Sequence, residues 1–90
     1  MNIKNNLALN HILQQHYKQA IKLLLPIYQQ QASTAKIRNN LAMALTLNGN
    51  QKYARKVLAK DFNKQQIEQN IQYFRFSQNN QAGSVIQGND

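Results

Sequence analysis

The sequence predicts an all-α chain of two antiparallel helix hairpins closed by a single fifth helix. Three observations lead there: an internal repeat at an offset of 34 residues, a helical apolar period inside each copy, and chain stops where hairpins must turn. Shifting the 90-residue sequence by 34 places Ile3 on Ile37, Asn5 on Asn39, Asn6 on Asn40, Leu7 on Leu41 and Ala8 on Ala42. The same shift brings Leu13 onto Leu47, Lys18 onto Lys52, Ala20 onto Ala54, Lys22 onto Lys56 and Leu24 onto Leu58. Chance does not concentrate so many matches at one offset. A third, shifted copy appears at an offset of 30, where Ile67, Asn70 and Ile71 fall on Ile37, Asn40 and Leu41. The four missing residues amount to about one helical turn, so the second helix of the second copy should be a turn shorter than that of the first.

The elements follow in order. The first helix carries Ile3, Leu7 and Leu13 and ends at the weak turn Gln14-Gln15-His16. Tyr17, Ala20, Ile21, Leu24 and Leu25 restart the period, and Pro26 predicts a kink or an end near Leu25 because it has no N–H to donate to residue 22. Ser33 or Thr34 suits the N-cap of the third helix, on which Ile37, Leu41, Ala44 and Leu45 share a face. Asn48-Gly49-Asn50 is a strong stop, since glycine supplies the left-handed conformation of a helix terminus. Tyr53, Ala54, Val57 and Leu58 then make the fourth helix, and Asn63 caps a fifth that carries Ile67, Ile71 and Phe74. The expected organisation is repeat one at 1–34, repeat two with a short second helix at 35–62, a capping helix at 63–76 and a disordered tail at 77–90.

Composition narrows the function classes. The absence of cysteine excludes disulfides and thiolate metal sites, and His11 and His16, five apart, miss the i, i+4 spacing of a helical metal pair. No metal or cofactor is expected. Eleven Lys/Arg stand against Asp61, Glu68 and Asp90, a net charge of +8. Such a scarcity of acids leaves neither a carboxylate pair nor a triad acid, and no glycine-rich phosphate loop is present, so no catalytic residue is assigned and an enzyme is not expected. The charge favours acidic partners in general. The cations are nevertheless spread along the chain, with no aromatic-plus-basic recognition motif, which ranks nucleic acid below a protein partner. The apolar run Leu23-Leu24-Leu25 is cut by Pro26 and is far too short to span a bilayer. The polar start Met1-Asn2-Ile3-Lys4-Asn5-Asn6 is unlike a signal peptide, so the chain carries no address of its own, or is a piece of a longer protein with a signal upstream.

The repeat resembles the tetratricopeptide repeat (TPR). That family places a large apolar residue at repeat position 7, a small one at 8, glycine near 15 and alanine at 20, matched here by Leu7-Ala8 and Ala20, then by Leu41-Ala42, Gly49 and Ala54. Small side chains at those positions let antiparallel helices approach closely. Tyr17 matches the aromatic of position 17. Gln15 replaces the glycine in the first copy, Gln51 replaces the aromatic in the second, and the proline that ends a repeat is missing from both. The resemblance covers about residues 1–76 and implies a right-handed α-solenoid that binds protein segments in a concave groove. A narrower likeness rests on Arg38-Asn39-Asn40-Leu41-Ala42-Met43-Ala44-Leu45 and on the stretch from Asp61 to Arg75. These resemble the C-terminal repeats of the TadD family, TPR lipoproteins of the tight-adherence (Tad) machinery that assembles Flp pili. That likeness implies partners among pilus or secretion components and a periplasmic or outer-membrane setting. The alternatives are a generic cytoplasmic adaptor or co-chaperone and, behind it, a nucleic-acid-associated helical module.

Under that resemblance the groove residues are Asn5, Asn6, Leu9, Lys36, Asn39, Asn40, Met43 and Asn70. Asn6, Asn40 and Asn70 recur at repeat position 6, where an amide can both donate to and accept from a peptide unit without burying charge. They could equally be satisfied within the fold. Leu9 and Met43 would supply an apolar floor, with inter-repeat packing as the alternative. Lys4 and Arg38 lie beside the groove positions and Lys36 on the rim, so a clamp for a terminal carboxylate is not supported. Lys18, Lys22, Lys52, Arg55 and Lys56 fall on the second helices, as a solubilising outer face or as a surface for acidic partners. The first copy begins without a cap, which predicts an exposed apolar edge there, covered by preceding repeats or by self-association.

Overall fold

The structure is a computed structural model that describes the backbone of residues 2–88 and the side chains of residues 3–77. Within those bounds the chain is all-helical, with α1 Asn2–Leu13, α2 Tyr17–Gln29, α3 Ala35–Leu47, α4 Gln51–Leu58 and α5 Lys64–Gly88, and no strand among the described residues. Short turns join α1 to α2 and α3 to α4, which makes each pair an antiparallel hairpin. α4 has 8 residues against 13 in α2. The capping helix expected over 63–76 starts at Lys64, and helical backbone continues through Gly88. The tail expected at 77–90 falls, beyond Ser77, on side chains outside the described residues.

Helix ends account for the boundaries. α1, α2 and α3 all finish in the same way, with one residue in the left-handed region: Gln15 at φ 65°, Gln31 at φ 59° and Gly49 at φ 93°. In each case the next N–H reaches back five residues, from His16 to the His11 carbonyl, from Ala32 to Ile27 and from Asn50 to Leu45. These are Schellman ends, two of them built on glutamine where glycine is easier. Thr34 Oγ1 accepts from the Ile37 N–H at the start of α3. At the start of α5, Asn63 and Gln66 each accept from the other's backbone N–H, a reciprocal capping box. Of the kink or end expected near Leu25, the end does not occur, because α2 runs through Pro26 to Gln29. Pro26 sits on the exposed side of the helix one turn beyond the exposed Lys22, so water can serve the carbonyl that the proline leaves without its donor.

α3 is the centre of the molecule, packing against all four other helices. Its Ile37, Leu41, Ala42, Ala44 and Leu45 join Ile12, Leu24, Ile27, Val57, Leu58, Ile71 and Phe74 in one buried cluster. The repeat-related alanines Ala8 and Ala42, and Ala20 and Ala54, are all fully buried. Their full burial means that a larger side chain there would have to displace its neighbours. The repeat-related apolar pairs on the other face differ. Ile37 is 2% exposed and Leu41 0%, whereas Ile3 is 82% and Leu7 45% exposed. α3 is enclosed by four helices, whereas α1 packs only against α2 and α3 among the described residues.

Replacing Ala54 by leucine should overpack the α3–α4 contact and lower stability by about 1–3 kcal/mol in chemical denaturation. An unchanged midpoint would mean that the two helices are not in the register described. Replacing Gln15 or Gln31 by glycine should instead raise stability by about 0.5–1 kcal/mol each, through relief of the left-handed backbone strain.

Candidate protein-binding groove

Six residues singled out from the sequence converge on one surface groove. Asn5, Asn6 and Leu9 reach it from α1, and Lys36, Asn39 and Asn40 from α3. Ala35 and Phe62 complete a lining that encloses about 450 Å³. The spacing explains the α1 side, since residues three and four apart on a helix share a face. On α3 the pairs Ala35/Asn39 and Lys36/Asn40 do the same, and they start immediately after the Thr34 cap sets the helix entry.

The groove is amide-rich, with an apolar end and no carboxylate in its lining. Asn40 Nδ2 donates to Asn5 Oδ1 at 2.9 Å, tying α3 to α1 across it. Asn6 and Asn39 make no side-chain hydrogen bond within the described residues, so their donors and acceptors remain available. Leu9 is half-buried, and Phe62 packs one side against the core. Such a surface can pair with peptide units along a segment, seat one apolar side chain and, through the exposed Lys36 at its rim, tolerate an acidic one.

The other two candidates lie elsewhere. Met43 packs against the buried core, one turn further along α3. Asn70 Nδ2 donates to the Gln66 carbonyl of its own helix at 3.0 Å, an internal use of the amide. Position 6 therefore behaves differently in each copy, with Asn6 exposed, Asn40 bonded to Asn5 and Asn70 turned to its own backbone.

One structural determinant went unread in the sequence. Arg38 is buried and forms a two-pronged pair with Asp61, Nε to Oδ2 at 2.7 Å and Nη2 to Oδ1 at 2.8 Å. Its Nη1 also donates to the Ser33 carbonyl at 2.7 Å and to Ser33 Oγ at 3.0 Å. One guanidinium thus clamps the turn before α3 to the turn before α5, and Phe62, next in sequence to Asp61, is held at the groove wall. Only a guanidinium offers enough donors in one plane for this, which is why arginine stands here while Lys4 serves at the equivalent exposed position. Two signals were available: an arginine where its repeat partner is a lysine, and an acid in a chain that has three.

The hydrogen bonds from Arg38, and secondarily its charge, hold the Asp61 carboxyl below its usual range against the opposing effect of burial. Arg55 acts likewise on Glu68 across α4 and α5, with Nε to Oε2 at 2.7 Å, but that pair is open to solvent. Tyr17 carries a buried hydroxyl with no partner among the described residues, and burial pushes its pKa up. Among the described residues no cluster of three or more His, Asp or Glu could hold a metal ion, and no helix is long and apolar enough to cross a membrane. Comparison with protein-family models, with curated proteins and with solved structures returned no match.

Asp61→Asn should destabilise the fold by about 1–2 kcal/mol at neutral pH. That is less than a fully buried pair would give, because the two side chains remain 10% and 19% exposed. The sign of the pH dependence follows from a depressed carboxyl. The pair's contribution is full above the ordinary aspartate value of 3.8 and disappears as pH falls through the lower folded value. Melting curves of wild type and Asp61→Asn should therefore separate at neutral pH and converge in strong acid.

Proposed function

We propose that the chain is a non-catalytic interaction module of tetratricopeptide-repeat type that holds an extended segment of a partner protein between α1 and α3. The observation that carries this reading is the convergence of Asn5, Asn6, Leu9, Lys36, Asn39 and Asn40 on one groove with Phe62 at its wall. Support also comes from the 34-residue recurrence and from the buried alanines at the four small-residue positions. Free amides, an apolar seat and a single cation suit a neutral or weakly acidic peptide whose affinity comes from main-chain pairing. The resemblance of the stretches 38–45 and 61–75 to TadD repeats makes Flp pilus assembly in the bacterial envelope the proposed setting, with pilus or secretion components as partners.

A photo-crosslinking residue at position 39 tests the groove, with the same probe at the exposed Gln69 of α5 as control. The expected result is capture of one defined polypeptide from position 39 only, reduced about tenfold or more by Leu9→Arg in a chain that remains helical. Equal capture from position 69, or indifference to Leu9→Arg, would move binding off the groove. A captured protein from outside the envelope would replace the pilus setting with that of a general adaptor.

A further inference from the structure

Five of the eight lysines, all exposed, stand on the second helices or just beyond α4. Lys18 and Lys22 stand one turn apart on α2, Lys52 and Lys56 one turn apart on α4, and all four are exposed, as is Lys60 beyond them. They line a chain of adjoining open grooves. Lys18 and Lys22 border one of about 350 Å³ together with Tyr53, and Lys52 and Lys56 border the next, about 650 Å³, with Tyr53 again. Lys56 and Lys60 border a third of about 420 Å³ with Tyr28.

Among the described residues Lys18, Lys22, Lys52 and Lys56 make no ion pair, and Lys60 meets only Asp61, which Arg38 already holds. Lysines four apart on a helix repel, and the first turns of α2 and α4 contain no acid although Lys18 and Lys52 sit there, where the helix macrodipole disfavours cations. Both acids among the described residues are engaged elsewhere, Asp61 by Arg38 and Glu68 by Arg55. An opposing anionic surface would relieve every one of these repulsions.

The side chains select among anionic partners. Single-stranded nucleic acid is bound through open aromatic faces and arginine forks. Here Tyr28 and Tyr53 pack edge to face at 6.3 Å and are half-buried, Lys56 Nζ lies 5.8 Å from the Tyr53 ring centre, and Arg55 is committed to Glu68. Acidic peptide motifs are recognised by arginine forks, and Arg38 and Arg55 are already paired. These lysines stand instead in two rows on separate helices, meeting at Tyr53, with aliphatic Ile21 and Leu25 between the stems on α2. A broad array of point charges on long apolar stems, with tyrosine among them, matches the headgroup layer of a bilayer. We propose that the α2–α4 face docks on an anionic phospholipid surface through Lys18, Lys22, Lys52, Lys56 and Lys60. This face is distinct from the groove between α1 and α3, so membrane docking and peptide capture stand or fall separately.

The test is co-sedimentation of the full chain with vesicles of phosphatidylcholine and phosphatidylglycerol in equal parts, against pure phosphatidylcholine. A patch variant, Lys18→Gln/Lys22→Gln/Lys56→Gln, is compared with a charge-matched control, Lys4→Gln/Lys64→Gln/Arg75→Gln, after circular dichroism shows both to be helical. Wild type and control are expected to bind the anionic vesicles and not the neutral ones, with binding weakened by salt. The patch variant should bind about 100-fold more weakly, three lysines at about fivefold each. Failure of the wild type to bind at low salt, or equal loss in both variants, would overturn the proposal. So would tighter binding of a single-stranded oligonucleotide or a polyglutamate peptide through the same lysines.

Discussion

Enclosure of α3 is the constraint on which the rest of the molecule depends. A helix that packs against four others must present small side chains on the sides of closest approach and large apolar ones where gaps remain. Ala42 and Ala44 are fully buried beside Ile37, Leu41 and Leu45. α1 and α2 stack on one side of it and α4 and α5 on the other. A change of one methylene at the alanines is therefore felt across both hairpins. The groove inherits its shape from the same packing, because its two walls are the exposed edges of α1 and α3.

Burying a helix this fully also forces a polar solution at Arg38. Its backbone position points the side chain inward, and a guanidinium removed from water must be paired and hydrogen-bonded. Asp61 and Ser33 supply those bonds from the turns that enter and leave the second hairpin. The arrangement costs the chain one of its three acids and gives it a fixed α4–α5 turn. Phe62 is placed by that turn, so a partly buried ion pair and a surface groove are parts of one structure.

The same scarcity of acids divides the surface. With Asp61 and Glu68 drawn into arginine pairs, the lysines of α2 and α4 face no opposing charge from either of them. The groove between α1 and α3, by contrast, is nearly neutral and rich in amides. Two faces of different chemistry on one small scaffold suit two kinds of contact, one by main-chain pairing and one by charge.

Much of the architecture was legible in the sequence because helical period and repeat offset are local, repeating signals. The all-helical class, the turn at Asn48-Gly49-Asn50 and the Thr34 and Asn63 caps follow from single residue types with known backbone preferences. Asn5, Asn6, Leu9, Lys36, Asn39 and Asn40 could be grouped through the repeat resemblance, with the helix period relating Asn5 to Leu9 and Lys36 to Asn40 within each helix. Tertiary structure decided the rest. Whether Ile3 is buried like Ile37 depends on a neighbouring helix, and the two differ although their residue type and repeat position agree. Whether Asn70 faces a groove or its own backbone depends on how α5 sits, and the Arg38–Asp61 pair joins residues 23 apart that no local pattern connects. Period and propensity act within a few residues along the chain, whereas burial and ion pairing are set by what the completed packing brings near.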